Sequence, residues 1–289
     1  MRFTLSAAMM DPAHYLPVAT AADEAGFDSI AVPDSIFYPE VVTGKYPYTP
    51  DGSRFWGPEA PFIDPLAAMP AMAAVTRRVH IYSSVLKLPI RHPLPLAKTV
   101  ASMAVLSNNR IGLGVGLSWM PEEFTFCHTE FATRADRTDE AIEIIRLASM
   151  GGWFEYHGKH YDFDRMQMPP APAQPVPIYV GGITKPALRR AARLGDGWIA
   201  VHSVKSDLAG LIGQLRGYLE EYGRERVPFR VFAAVTDVAG ADSYRRMEEM
   251  GVTDLTFTPW TLYGGDPSQL QTKLDAVRRF GAEVIAKVR

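Results

Sequence analysis

The sequence predicts an α/β protein folded as a (β/α)8 TIM barrel, and three observations lead there. Short apolar, strand-like runs alternate with stretches of helical spacing, the pattern left by parallel strands joined through crossover helices. Eight such runs can be counted, which suits a closed barrel better than an open sheet. The 289 residues exceed only modestly the roughly 250 of a typical barrel, and no linker, low-complexity tract or short repeat divides them. One domain over residues 1–289 is expected.

The strand-like runs are Phe3–Ala8, Ser29–Pro33, Val79–Leu86, Ile111–Leu117, Pro177–Gly181, Gly197–His202, Phe229–Thr236 and Asp254–Thr258. Between them, Ala141, Ile142, Ile145 and Ala148, or Leu270, Leu274, Val277 and Phe280, recur at intervals of three and four, so each set lines one helix face. Gly26, Gly195, Gly223 and Gly251 suit helix stops. Asp266-Pro267 offers an N-cap followed by proline, with Gln269 at the capping-box position. The helix near Ser243–Met250 is expected to be short.

Two segments break the alternation. Residues 35–64 carry Tyr38, Tyr46, Tyr48, Phe55, Trp56 and Phe62 among prolines and glycines, which predicts a long ordered loop after the second strand. It would stand over the carboxyl ends of the strands as a pocket wall or lid, or else serve as a packing or dimer contact. In residues 153–168, Phe154 and Tyr156 alternate into a His157-Gly158-Lys159-His160 turn and out through Tyr161 and Phe163, a β-hairpin ahead of the fifth barrel strand.

Composition narrows the function. A formal charge of −2 with 47% apolar residues gives no field to attract nucleic acid or an anionic membrane. No apolar run approaches the roughly 18 residues of a membrane span, and Cys127 is the single cysteine, so no internal disulfide forms. The opening residues reach Asp11-Pro12 too soon for a secretory apolar segment, and a cytoplasmic location is expected. No metal motif is apparent; the two histidines of the 157–160 turn lack a third ligand nearby in sequence.

Barrel enzymes place their reactive groups at strand carboxyl ends and in the loops that follow. After the fifth run, Gly181-Gly182 lets backbone pass close to a ligand, Thr184 offers a hydroxyl, and the helix near Pro186 presents free amides. That is a phosphate site, or else a glycine-rich turn with Thr184 as cap. Gly112, Gly114 and Gly116 do not fit a dinucleotide fingerprint, because Leu117 and Trp119 stand where it needs glycine. They read instead as a bare strand face for a flat ring. Asp34 and Glu122 are acid–base candidates by position, with capping or an ion pair as the alternative. Tyr46, Tyr48, Phe55, Trp56, Trp119 and Trp260 are candidates for an aromatic substrate wall, or for core packing.

The segments Ala22–Ile30 with Val32-Pro33-Asp34, Leu88–Leu94, Leu106-Ser107 to Gly116, Trp119–Phe124, Tyr156–Tyr161 and Tyr179–Gly182 through Arg193–Trp198 resemble, in this order, the signature of the bacterial luciferase-like monooxygenase family. The resemblance spans nearly the whole chain and is closest to the branch that uses the 5-deazaflavin coenzyme F420. It implies a barrel of the luciferase-like type holding a flavin or deazaflavin. The ring would lie against Asp34, Ser83, Ser84, Gly114 and Gly116, and the phosphate at Gly181, Gly182, Thr184 and Lys185. It also implies a bulge or non-prolyl cis peptide at Ser83-Ser84, and a homodimer.

Two departures bear on chemistry. Ser35 stands where related F420 enzymes often have histidine. Leu117 stands where the family's sugar-phosphate dehydrogenases place a carboxylate and where flavin-type luciferases have, nearby, an arginine for the FMN phosphate. The expected function is therefore an F420-dependent oxidoreductase passing a hydride between the deazaflavin C5 and a small, largely apolar organic molecule, with Ser35 or Glu122 as proton relay. The alternative is an FMN-dependent monooxygenase acting through a flavin peroxide. A third reading is a barrel that binds cofactor or pigment without turnover.

Overall fold

The computed structural model describes residues 1–200, 207–234 and 240–288. In chain order the strands are β1 (Arg2–Ser6), β2 (Ser29–Val32), β3 (His80–Ser83), β4 (Leu86–Lys87), β5 (Ile111–Gly116), β6 (Trp153–His157), β7 (Asp162–Gln167), β8 (Ile178–Gly181), β9 (Gly197–Ala200), β10 (Arg230–Ala234) and β11 (Asp254–Phe257). The helices are α1 (Tyr15–Glu24), α2 (Pro65–Val75), α3 (Pro93–Leu106), α4 (Pro121–Phe126), α5 (Arg134–Met150), α6 (Lys185–Leu194), α7 (Leu208–Glu221), α8 (Ala241–Met250) and α9 (Leu270–Phe280).

Every barrel pairing is parallel. The ladder runs β3-β2-β1-β11-β10-β9-β8-β5 and closes where β3 meets β5, with Ile81 opposite Ile111 and Tyr82 opposite Gly112. The eight expected runs are its eight strands, although the ends of two of them, residues 201–202 and 235–236, lie outside the described residues. The third run is interrupted. A cis peptide at Ser84–Val85 separates β3 from β4, one bond further along than Ser83-Ser84. Among the described residues no helix is long and apolar enough to cross a membrane.

Alternation along the strands sorts side chains into two cores. Phe3, Leu5, Ile30, Ile81, Leu113, Ile178, Val180, Trp198, Val231 and Leu255 point outward and pack under the helices. Ala31, Tyr82, Tyr179, Ile199 and Phe232 point inward and fill the barrel, with Val85 packed against them. At the amino end the plug is polar. Asp254, fully buried, accepts from Arg2 and Arg230, whose Nη1 lies 3.1 Å from the Tyr179 hydroxyl. That hydroxyl is 3.2 Å from His80 Nε2.

Helix ends follow local chemistry. Gly251 closes α8 in the left-handed region at φ 110°, which glycine adopts without strain. Asp266 does not cap α9, contrary to expectation. Its carboxylate accepts from the Ser268 amide at 2.8 Å in a tight turn, and the helix begins only at Leu270.

The hairpin forms as β6–β7, with Tyr156 opposite Phe163. Its turn is bound to α5 by Glu140, whose carboxylate accepts from the amides of Lys159, His160 and Tyr161 at 3.0, 3.0 and 3.1 Å. Residues 35–64 contain no helix or strand, yet they are ordered by aromatic contacts.

Candidate active site

The carboxyl ends of β2, β3 and β5 meet around the cis peptide. Ser83 donates its hydroxyl to the Gly114 carbonyl at 2.8 Å, and the Ser84 amide donates to the Val32 carbonyl at 2.7 Å. The segment Ser83–Val85 thus bulges into the barrel mouth, and the glycines of β5 make room for it. A Cβ at Gly114 would run into the Ser83 carbonyl oxygen; one at Gly116 would lie 2.6 Å from Val85 Cγ2. At Gly181 it would lie 2.8 Å from Val85 Cγ1, and at Gly112 2.5 Å from His80 Nε2. The glycine face is therefore not bare, as the sequence suggested. The chain's own bulge occupies it at Gly114 and Gly116, and His80 occupies it at Gly112.

Asp34 resolves as an ion pair. Arg91, in the turn after β4, holds it with two bonds of 2.8 and 2.9 Å, and the Lys87 amide donates to the same carboxylate at 2.8 Å. Arg91 also reaches Asp64 at 3.5 Å. One guanidinium thereby holds the residue just before the aromatic segment and the residue that ends it. Burial alone would lower the Arg91 pKa; the two carboxylates reverse this and raise it.

Glu122 does not reach into the barrel. Its carboxylate accepts from the Thr43 amide and hydroxyl at 2.8 and 2.7 Å, tying the aromatic segment to α4. Burial acts to raise its pKa, but the Thr43 bonds outweigh this and hold it below the usual range. The neighbouring Glu123 is the buried carboxylate. It is fully enclosed, paired with Lys87 Nζ, and accepts from the Ser118 hydroxyl at 2.5 Å. Sequence reasoning singled out none of Lys87, Ser118 and Glu123. A signal was present: Met120, Glu123, Phe124 and Cys127 stand at helical spacing, which puts Glu123 on the inward face of α4.

The aromatic candidates divide. Tyr46 is a hub, with its ring 5.4 Å from Tyr48, 5.7 Å from Phe55, 5.1 Å from Trp56 and 5.4 Å from Trp119. Trp119 follows β5, so this cluster forms a wall at the mouth. Trp260 is not part of it; it is buried in the strand–helix core. Ser35 and Trp56 both line a shallow pocket open to the surface, formed within the segment itself.

At the end of β8 the chain turns through Gly182 at φ 119°. A Cβ there would lie 2.9 Å from Ala187 Cβ, so only glycine lets the turn close on α6. Thr184 caps α6, accepting from the Ala187 amide at 3.4 Å. The Gly182 carbonyl accepts from Trp198 Nε1 at 2.7 Å, which fixes the turn to β9. Among the described residues no acceptor meets the amides of Ile183, Thr184 and Lys185. Three adjacent free donors at a helix start form a cradle that an oxyanion fits.

Comparison with known proteins places the chain in a family. A luciferase-like monooxygenase family model matches residues 3–283. An uncharacterized protein of Mycobacterium tuberculosis is 44% identical over the full length of both chains. The F420-dependent glucose-6-phosphate dehydrogenase of Gordonia bronchialis is 34% identical over 211 residues, covering 71% of this chain and 58% of that protein. The solved structure of the monooxygenase RslO1 from Streptomyces bottropensis covers all of both chains at TM-score 0.78 and 18% identity, a likeness of fold. The match from the first barrel strand to beyond the last, in a barrel with this mouth, makes the chain a member of the luciferase-like monooxygenase family.

Proposed function

We propose that the protein is an F420-dependent oxidoreductase acting on a small organic molecule. The observation that carries this reading is the row of free amides at Ile183–Lys185, where the cofactor phosphate would bind. Gly181 and Gly182 allow its close approach, Thr184 adds a hydroxyl, and Lys185, exposed at the first turn of α6, adds charge. Asp34, Ser83 and Ser84 would hold the ring side, with Gly114 and Gly116 serving by admitting the bulge.

F420 rather than FMN is favoured at the end of the neighbouring strand β5, which pairs with β8 through Val115 and Val180. Leu117 provides no cation for a flavin phosphate, and the nearby Lys87 and Arg91 are committed to Glu123 and Asp34. The F420-dependent relative from Gordonia also points to F420.

F420 supplies a hydride donor or acceptor when bound. The chain's part is to position and to exclude water: the Tyr46 cluster covers the mouth, and Glu122 and Arg91 hold that cover in place. Ser118, hydrogen-bonded to Glu123, is better placed than Glu122 to move a proton at the mouth. Fluorescence titration with F420 and with FMN tests the assignment. Submicromolar F420 binding with weak FMN binding is expected; tighter FMN binding overturns it.

A further inference from the structure

Residues 165–195 contain no aspartate or glutamate but carry Arg165, Lys185, Arg189, Arg190 and Arg193, in a chain whose formal charge is −2. All of these cations except Arg165 belong to α6. The apolar face of that helix, with Ala187, Leu188, Ala191 and Ala192, is buried. Lys185, Arg189 and Arg193 are exposed and stand four residues apart, so they form one row along its outer side. The row begins at the cradle of free amides and runs about 12 Å along the helix. Because α6 joins the carboxyl end of β8 to the amino end of β9, the row leads away from the mouth over the outside of the barrel.

The guanidinium groups are held in place. Asp139 of α5 accepts from both Arg190 and Arg193, the latter at 2.5 Å. Arg189 lies 4.7 Å from the centre of the Tyr218 ring and donates to Glu221 at 3.2 Å. With Pro186 and Tyr222, the three arginines and Asp139 line a shallow, open groove beside α6. Two carboxylates set against the four cations of α6 leave positive charge in excess. Among the described residues Arg193 Nε and Nη1 meet no acceptor. Lys185 occupies the first position of the helix, where the dipole disfavours a cation unless an anion lies close by.

We propose that the outer side of α6 binds a flexible chain of carboxylates continuing from an oxyanion held at the cradle. The inference rests on the proposed cofactor: F420 bears γ-linked glutamyl units beyond its phosphate, whereas FMN ends at its phosphate. Each such unit adds five chain bonds, about 6 Å when extended. Two units therefore reach from the cradle to Arg193, with one carboxylate for Arg189 and one for Arg193, and a longer chain passes the end of the row. Ion pairs at exposed side chains are individually weak and are screened by salt. The gain is accordingly modest, limited to the first units and lost at high ionic strength.

The test is a fluorescence titration of the full chain with three ligands: F420 cut back to its phosphate, and F420 with two and with five glutamyl units. At low salt two units are expected to tighten binding about fivefold, and the next three by under about twofold. In 0.5 M salt the first gain should fall below about twofold. The double variant Arg189→Gln/Arg193→Gln should bring the three affinities together. Arg278→Gln, on α9, removes one charge far along the chain from α6 and should keep the fivefold difference.

Equal affinities of the three ligands for the unaltered protein would overturn the inference. So would a tail effect that survives in the double variant or disappears in Arg278→Gln. None of these results touches the proposed function so long as the ligand ending at phosphate binds. Failure of all three ligands to bind would overturn the proposed function, and this inference with it.

Discussion

Arg91 grips Asp34 through both terminal nitrogens, at 2.8 and 2.9 Å, while the same guanidinium reaches Asp64 at 3.5 Å. The two carboxylates stand at the two ends of the aromatic segment. A single side chain thus closes a loop of some thirty residues at its base, where pinning both ends removes much of its conformational freedom.

Arg91→Met is therefore expected to destabilise the protein by about 3–5 kcal/mol, because the Asp34 carboxylate stays buried without its cation. Arg91→Lys keeps the charge but loses the two-pronged geometry and should fall between. Urea denaturation followed by circular dichroism measures both. A loss below about 1 kcal/mol in the methionine variant would show that Asp34 is relieved by water or by protonation.

The pair Lys87–Glu123 calls for a double-mutant cycle. Glu123 is fully enclosed and Lys87 nearly so. Glu123→Leu or Lys87→Met alone should each cost about 3 kcal/mol or more, since each leaves one charge unpaired. Together they should cost less than the sum by at least about 1 kcal/mol. Strict additivity in chemical denaturation would mean the two groups do not depend on each other.

Glycine serves opposite ends in two places, which gives a matched comparison. Gly114→Ala would push a methyl into the Ser83 carbonyl and to 2.8 Å from Ile199 Cδ1, so the bulge must move. A loss of about 2 kcal/mol or more is expected, with weakened cofactor binding. Gly213 lies inside α7 with nothing within 4 Å of an added Cβ, and Gly213→Ala should stabilise by about 0.5–1 kcal/mol through helix propensity. Thermal melts of both should shift in opposite directions; a shift of the same sign in both would contradict the assigned role of Gly114.

The barrel was legible because its strands are short, apolar and regularly spaced, and the hairpin because Phe154, Tyr156 and Phe163 alternate about a tight turn. The turn from β8 into α6 was legible too, since Gly182 and Thr184 there answer to local backbone geometry. What lay hidden were pairings across long separations. Asp34 meets Arg91 57 residues away, and Lys87 meets Glu123 36 residues away. Neither pairing leaves a periodic trace. Glu122 drew attention over Glu123 because position in a loop says nothing of which way a side chain turns. Gly114 and Gly116 were read as a bare face for a flat ring when the space belongs to the Ser83 carbonyl and Val85, a close approach that depends on a neighbouring strand.

The amino-end plug sets a pH dependence of stability. Burial, aided by the charge of Arg230, pushes the His80 pKa down from 6.5 to about 3. The folded protein therefore keeps His80 neutral while the unfolded chain binds a proton below pH 6.5. Stability contributed by this group is undiminished above pH 6.5, declines as the pH falls toward 3, and changes no further below that. At pH 5 the loss is about 2 kcal/mol, and it depends little on the folded value so long as that lies well under 5. Carboxylates also lose stabilising interactions in acid, so the comparison must be between slopes. His80→Gln removes this proton linkage and leaves Asp254 with both arginines. Its unfolding free energy should fall by about 2 kcal/mol less than that of the parent between pH 8 and pH 5. Parallel pH profiles for the two proteins, measured by urea denaturation, would show that His80 accepts a proton inside the barrel.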